Sequence, residues 1–124
     1  MKKLLLILAI LLLASQAWAA HLKLEKEYQR EWCERHGGIL EYVLDDGARV
    51  DCLTETHAVE FDFMEKWAEC IGQAGYYADK TGKIPACVLI IEDPEKAPVF
   101  IERLRRTAAR FKVDWWLMET GDLK

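Results

Sequence analysis

The segment Ala86-Cys87-Val88-Leu89-Ile90-Ile91 is apolar at every position and includes three β-branched residues. A strand with two apolar faces must be covered on both, so the chain has to build a sheet with helices on each side. The flanking sequence supplies those layers. From about Leu22 to His36, Leu24, Tyr28, Trp32 and Cys33 recur at helical spacing and Gly37-Gly38 ends the helix. Ile39–Leu44 and Arg49–Leu53 flank Asp45-Asp46-Gly47, a tight-turn sequence, and predict a hairpin. His57–Phe63 alternates, with Val59, Phe61 and Phe63 on one face and Ala58, Glu60 and Asp62 on the other. Met64 to about Lys80 reads as a helix with Trp67, Ile71, Ala74 and Ala78 inward. Pro98 opens a further helix with Ile101, Leu104, Ala108 and Phe111 inward, and Val113–Met118 forms a last strand. The expected fold is α/β: a single-domain mixed β-sheet flanked by helices, in the order α-β-β-β-α-β-α-β, with right-handed crossovers at the parallel connections.

Lys2 and Lys3 precede an apolar run from Leu4 to Leu13, and Ala17-Trp18-Ala19 supplies small residues at a cleavage site. This pattern predicts an export signal over residues 1–19 and a mature domain over 20–124. The apolar run is too short to span a bilayer comfortably, so no stable membrane insertion is expected once the signal is removed. Destination is periplasmic or secreted. The whole chain carries a formal charge of −4, which becomes −6 when Lys2 and Lys3 leave with the signal. Such a balance argues against extensive phosphate binding, yet a metal-binding cleft adds negative charge of its own that its ion offsets. The basic residues Arg103, Arg105, Arg106, Arg110 and Lys112 cluster on one predicted helix, where a solvated face is the ordinary reading.

Cys33, Cys52, Cys70 and Cys87 all lie in the predicted mature part. An even number in a small exported domain favours disulfides. Zinc is disfavoured because the cysteines are spread one per element, without the close pairs of zinc sites. Three pairings are possible. Proximity in sequence favours Cys33 with Cys52 and Cys70 with Cys87.

Asp51, Glu60 and Asp62 place carboxylates on neighbouring strands, and Gln73 and Tyr77 follow on the next helix. Carboxylates are poor strand formers and like charges on adjacent strands repel, so an ion between them is the arrangement that makes the pattern favourable. Hard cations such as magnesium take oxygen ligands, commonly one or two carboxylates from the protein. Positions seven and eleven residues after Lys66 return to nearly the same helical face, which puts Lys66, Gln73 and Tyr77 on one stripe. Glu27, Glu31 and Glu34 read as a solvated acidic face, His57 as a structural histidine, and Trp115 and Trp116 as one core residue and one side chain able to stack on bases.

Arg49-Val50-Asp51 on the second strand, Glu60-Phe61-Asp62 on the third and Gln73-x-x-x-Tyr77 on the next helix resemble the PD-(D/E)XK nuclease superfamily. The Gln-x-x-x-Tyr element is most like its recombination exonuclease branch. The resemblance runs from the first helix to the strand at Ala86–Ile91 and implies a restriction-endonuclease-like fold. It implies Asp51 and Glu60 as metal ligands, with the Phe61 carbonyl as a further one. The family usually places lysine two residues after its acidic ligand; this chain has Asp62 there, as an additional metal ligand, and Lys66 one turn into the following helix takes the lysine's place.

The resulting expectation is an exported Mg²⁺- or Mn²⁺-dependent nuclease hydrolysing phosphodiester bonds, on DNA ahead of RNA. Asp51, Glu60 and Lys66 are its expected catalytic residues, Asp51, Glu60 and Asp62 hold the metal, and Gln73 and Tyr77 orient the substrate backbone. The alternative is a nuclease-like binding module without catalysis, or an envelope structural protein.

Overall fold

A computed structural model describes residues 21–120. The predicted signal at residues 1–19 lies outside them. Helix α1 (Glu25–Arg35) precedes strands β1 (Ile39–Val43), β2 (Arg49–Leu53) and β3 (His57–Phe63). A 3₁₀ turn, Met64–Lys66, then leads into α2 (Trp67–Thr81), β4 (Ile84–Ile91), α3 (Ala97–Phe111) and β5 (Asp114–Glu119). The five strands make one mixed sheet in the order β1-β2-β3-β4-β5. The first three form an antiparallel meander, while β3, β4 and β5 run parallel. The expected α-β-β-β-α-β-α-β order and helix-covered mixed sheet are both present. Among the described residues no helix is long and apolar enough to cross a membrane.

Alternation along the central strands divides the core into two layers. Val59, Phe61 and Phe63 of β3 join Ala86, Val88 and Ile90 of β4 against Tyr28, Trp32 and Cys33 of α1. Cys87, Leu89 and Ile91 face the other way and pack with Ile71 and Ala74 of α2 and Leu104 and Ala108 of α3. The apolar run of β4 is thus buried on both faces, as its composition requires. Two residues expected inside are outside: Leu24 is 72% exposed and Phe111 64% exposed. Leu24 precedes the first helical turn, and Phe111 ends α3 just before Lys112 adopts a left-handed conformation at φ 55°, so neither sits where helical periodicity directs it inward.

Cys33 and Cys52 form a disulfide with Cα atoms 5.8 Å apart, tying α1 to β2. Gly38 is what lets the chain pass. A Cβ there would lie 2.4 Å from the Cys52 sulfur and 2.7 Å from that of Cys33. The expected second bridge is absent: Cys70 and Cys87 are both buried free thiols. They are hydrogen-bonded side by side, the Cys70 thiol also approaches the Glu60 carbonyl oxygen at 3.4 Å, and burial pushes the Cys70 thiol well above its ordinary pKa. A thiol held neutral and shielded is a poor partner for disulfide exchange.

Candidate functional site

The strands part where the carboxylates meet. β2 pairs with β3 at Cys52↔Val59 and Leu53↔Ala58, and the registered pairing extends no further toward Asp51. On the other edge of β2, Leu40↔Cys52 and Tyr42↔Val50 are paired, while Glu41 between them has φ 49° and does not pair with Asp51. A glutamate at positive φ is strained, and here it breaks the ladder opposite Asp51. Side chains take over the orphaned backbone groups. Gln29, only 3% exposed, donates from Nε2 to the Asp51 carbonyl at 2.9 Å, and the Phe61 N–H donates to Asp51 Oδ2 at 2.9 Å. The strand rotates at this point, since Cys52 packs into the α1 layer while Val50 packs with Ala58 and Tyr77 on the α2 side.

Glu60 and Asp62 project from the face of β3 that also carries Ala58, and they are 5% and 6% exposed. The Asp51 and Glu60 carboxyls face each other closely enough to hydrogen-bond, and this contact favours the neutral form of Glu60. Burial raises both, and the neighbouring charge of Asp51 drives Glu60 far above the usual carboxylate range, with Asp62 and Glu25 adding to it. Asp62 is pushed up to about 7, first by burial and then by the charges of Glu25 and Asp51, with Lys66 pulling against them. Glu60 Oε2 and Asp62 Oδ2 are buried without a hydrogen-bond partner. A folded protein rarely leaves two such oxygens unmatched in one place.

Glu25 completes the cluster and escaped sequence reading. Its carboxyl is raised by burial and by Asp51, and lowered by Lys66 and His21. The buried stripe of α1 is Tyr28, Gln29, Trp32 and Cys33, and Glu25 stands three, four and seven residues before the first three of these. Counting back from Tyr28 and Trp32 would have found it. Leu24, at the helix N-cap, imitates the start of the stripe and hides the glutamate beside it. Gln29 was missed for the same reason, as a polar residue within an apolar face. Glu27 instead closes the helix, accepting the Leu24 N–H at 2.9 Å, and Glu31 lies 3.8 Å from Arg35.

Lys66 reaches the cluster by a different route from the one expected. It lies in the 3₁₀ turn at φ −99°, ψ 26°, before α2 begins, so the helical stripe joining it to Gln73 and Tyr77 does not exist. From that turn its charge acts on Asp62 and Glu25. Tyr77 packs beside Val50 and Ala58, and its hydroxyl is pushed up to about 12 by burial and by Glu60, Asp51 and Asp62. Gln73 is exposed on α2 and makes no hydrogen bond to the cluster among the described residues. His57 sits at the opposite end of β3, bonded to Asp114 at 2.8 Å and Thr56 at 2.7 Å.

Chemically, then, three strand carboxylates and one helix carboxylate converge beside a lysine. Among the described residues no three His, Cys, Asp or Glu side chains already stand at metal-ligand separation. The donor set nonetheless suits a hard divalent cation, because it is all oxygen and two of those oxygens are unmatched. Comparison of the chain with protein-family models, curated proteins and solved structures finds no significant match to any of them.

Proposed function

We propose that this protein is a divalent-metal-dependent phosphodiesterase, acting on nucleic acid after export. One observation carries the reading: Glu60 Oε2 and Asp62 Oδ2 are buried without partners inside a cluster that already holds Asp51 and Glu25. An apolar core gains nothing from such a cluster, whereas a cation between the carboxylates would let all of them ionise.

Asp51, Glu60 and Asp62 would hold Mg²⁺ or Mn²⁺, with Glu25 at the margin of the set. Bound there, the ion supplies a lowered water pKa and charge stabilisation at phosphate oxygens. The chain's own residues do the rest. Gln29 and the Phe61 N–H fix the Asp51 carboxylate, each through a hydrogen bond of 2.9 Å. Lys66, exposed at the rim, presents an ammonium beside Asp62 that can orient an attacking water and pair with a phosphate oxygen. Tyr77 closes the side toward α2 and keeps its hydroxyl protonated, a hydrogen-bond donor for substrate. Gln73, one turn before it and solvent-facing, is assigned to the substrate backbone on helical spacing alone. The Cys33–Cys52 disulfide suits the oxidising destination that the export signal implies.

Calorimetry with Mn²⁺ and Mg²⁺, together with cleavage of single- and double-stranded DNA and RNA by the mature oxidised protein, tests the reading. Metal binding lost in Asp51→Ala and Glu60→Ala, with metal-dependent cleavage lost in Lys66→Met while its metal binding survives, is the expected result. Metal binding without turnover on any nucleic acid would replace it with the inactive binding module. Absence of metal binding would refute both the site and its chemistry.

A further inference from the structure

A cleft of about 340 Å³ opens where α1 ends and β3 begins, at the end of β3 away from Asp62. Its walls are aromatic rings. Trp116, 38% exposed on the edge strand β5, faces the α1 layer with its ring centroid 5.5 Å from that of Trp32. The His57 ring meets it nearly edge-on at 5.3 Å. His36 lies flat against Trp32, with the two centroids 3.6 Å apart.

The polar groups around these rings satisfy one another. The His57 backbone N–H donates to Thr54 Oγ1 at 2.9 Å, and the His57 ring bonds at both nitrogens, to Thr56 Oγ1 at 2.7 Å and to Asp114 Oδ2 at 2.8 Å. His36 donates from Nδ1 to the Trp32 carbonyl at 2.7 Å. What is left over is negative. The Glu55 carboxylate makes no ion pair among the described residues, Asp114 adds a second carboxylate behind His57, and no lysine or arginine lines the cleft. Cations in the neighbourhood are engaged elsewhere: Arg35 with Glu31 at 3.8 Å, Arg105 with Glu102, and Lys83, which lines a different cleft, with the Glu55 carbonyl. His36 caps α1, so the negative end of that helix's dipole also falls here.

We propose that this cleft binds an alkylated ammonium group of the trimethylammonium type. Such a cation spreads its charge over methyl groups, which are attracted to aromatic faces and need no hydrogen-bond acceptor. A primary ammonium needs acceptors for three N–H groups, and a sugar needs donors and acceptors for each hydroxyl, whereas Thr54, Thr56 and His57 are already engaged with one another. An anion would meet Glu55 and Asp114 with no lysine or arginine in the lining to receive it. Trp116 and Trp32 supply the π-faces, and Glu55 supplies the counter-charge at the rim. The group can arrive on a small solute such as choline or on the head of a choline lipid, and the recognition chemistry is the same for both. The site is separate from the carboxylate cluster and stands whether or not those carboxylates catalyse anything.

The test uses the disulfide-bonded protein in EDTA, so no metal ion on the carboxylate cluster enters the measurement. Choline is titrated while the indole N–H resonances are followed by NMR, in parallel with dimethylbutanol, its uncharged carbon analogue, and with ethanolamine and glucose. Choline is expected to shift the Trp116 resonance, assigned by its loss in Trp116→Leu, and to bind at least about fivefold more tightly than the other three. Trp116→Leu, which keeps apolar bulk but removes the π-face, should weaken choline by about tenfold, and Glu55→Gln by a smaller factor. Co-sedimentation with phosphatidylcholine vesicles separates the two sources: retention lost in Trp116→Leu assigns the lipid headgroup, and saturation by choline without retention assigns a small solute. Should Trp116→Leu fail to fold, the comparison of choline with dimethylbutanol and the Glu55→Gln variant, both with every tryptophan in place, decide. Equal binding of dimethylbutanol would reduce the cleft to an apolar surface and overturn the proposal, as would preference for glucose or ethanolamine, or no response to either choline or the vesicles.

Discussion

Asp62→Asn should make the metal-free protein more stable at alkaline pH, although it removes a buried polar group's native identity. In the unfolded chain an aspartate titrates near 3.8, whereas in the fold Asp62 is pushed up to about 7. An acid whose folded pKa is raised binds its proton more tightly when folded, so stability falls as pH climbs between the two values. Below about pH 4 both states are protonated and nothing is lost; above about pH 7 the full penalty applies. At 1.36 kcal/mol per unit the shift corresponds to roughly 4 kcal/mol. Local rearrangement and water entry will relieve part of that, leaving about 2 kcal/mol for an isosteric amide to recover. For a domain of this size that is a rise in Tm of roughly 10 °C.

Thermal unfolding in EDTA at pH 4 and pH 8, followed by circular dichroism, measures the effect. Wild type and Asp62→Asn should coincide within about 1 kcal/mol at pH 4 and separate at pH 8 in favour of the variant. Adding Mn²⁺ at pH 8 should stabilise the wild type more than the variant, closing or reversing the gap, since an ion that binds only the folded state adds stability by mass action. A variant equally less stable at both pH values would refute the reasoning. That result would mean Asp62 makes favourable contacts and carries no unrelieved charge.

Other perturbations probe the frame around the cluster. Gly38→Ala should destabilise by about 1–3 kcal/mol in denaturant titration, because its methyl would meet both sulfurs of the Cys33–Cys52 bridge. Reducing that bridge should lower stability by about 3 kcal/mol, the loop-closure effect for cysteines 19 residues apart, and thiol counting should rise from two groups to four in denatured protein. Glu25→Gln should weaken Mn²⁺ binding in calorimetry by less than Glu60→Gln does, while also lowering the pH at which Asp62 titrates, a shift that carboxyl NMR would register.

Fold class was legible because it depends on periodicity, which is local. The alternation in His57–Phe63 and the unbroken apolar β4 dictated a sheet covered on both sides, and Asp45-Asp46-Gly47 placed the hairpin, where Gly47 indeed adopts φ 88°. Asp51, Glu60 and Asp62 were legible as candidates because charged residues on strands contradict their surroundings. Three features were not. Gln29 belongs to a buried helical face and half-buried Glu25 to its N-terminal edge, and their polar composition disguises both as surface residues. Lys66 depended on whether the chain after Phe63 enters an α-helix at once or passes through a 3₁₀ turn, a choice of less than one turn that decides where the ammonium points. Cys70 and Cys87 illustrate the opposite failure, since being neighbours in space does not make two buried neutral thiols a bond.

The break in the β2 ladder links these observations into one physical picture. Regular pairing of Asp51 with Glu41 on one side and with Glu60 on the other would satisfy the backbone of all three and would turn Val50 and Cys52 to the same face. Instead Glu41 sits at positive φ, Gln29 leaves the helix layer's apolar company to hold the Asp51 carbonyl, and Asp51 spends its carboxylate on the Phe61 N–H. Each departure is unfavourable alone, and together they achieve a single result: the Asp51 carboxyl is set against Glu60. Strain and buried charge concentrated on one arrangement are what a functional site looks like when stability has been traded for it. Restoring the ladder should therefore raise stability and remove metal binding together. Glu41→Gly, which relieves the positive φ without restoring the ladder or touching the carboxylates, should raise stability by about 1 kcal/mol in denaturant titration and leave metal binding unchanged, because the side-chain bonds from Gln29 and to Phe61 still hold Asp51 in place.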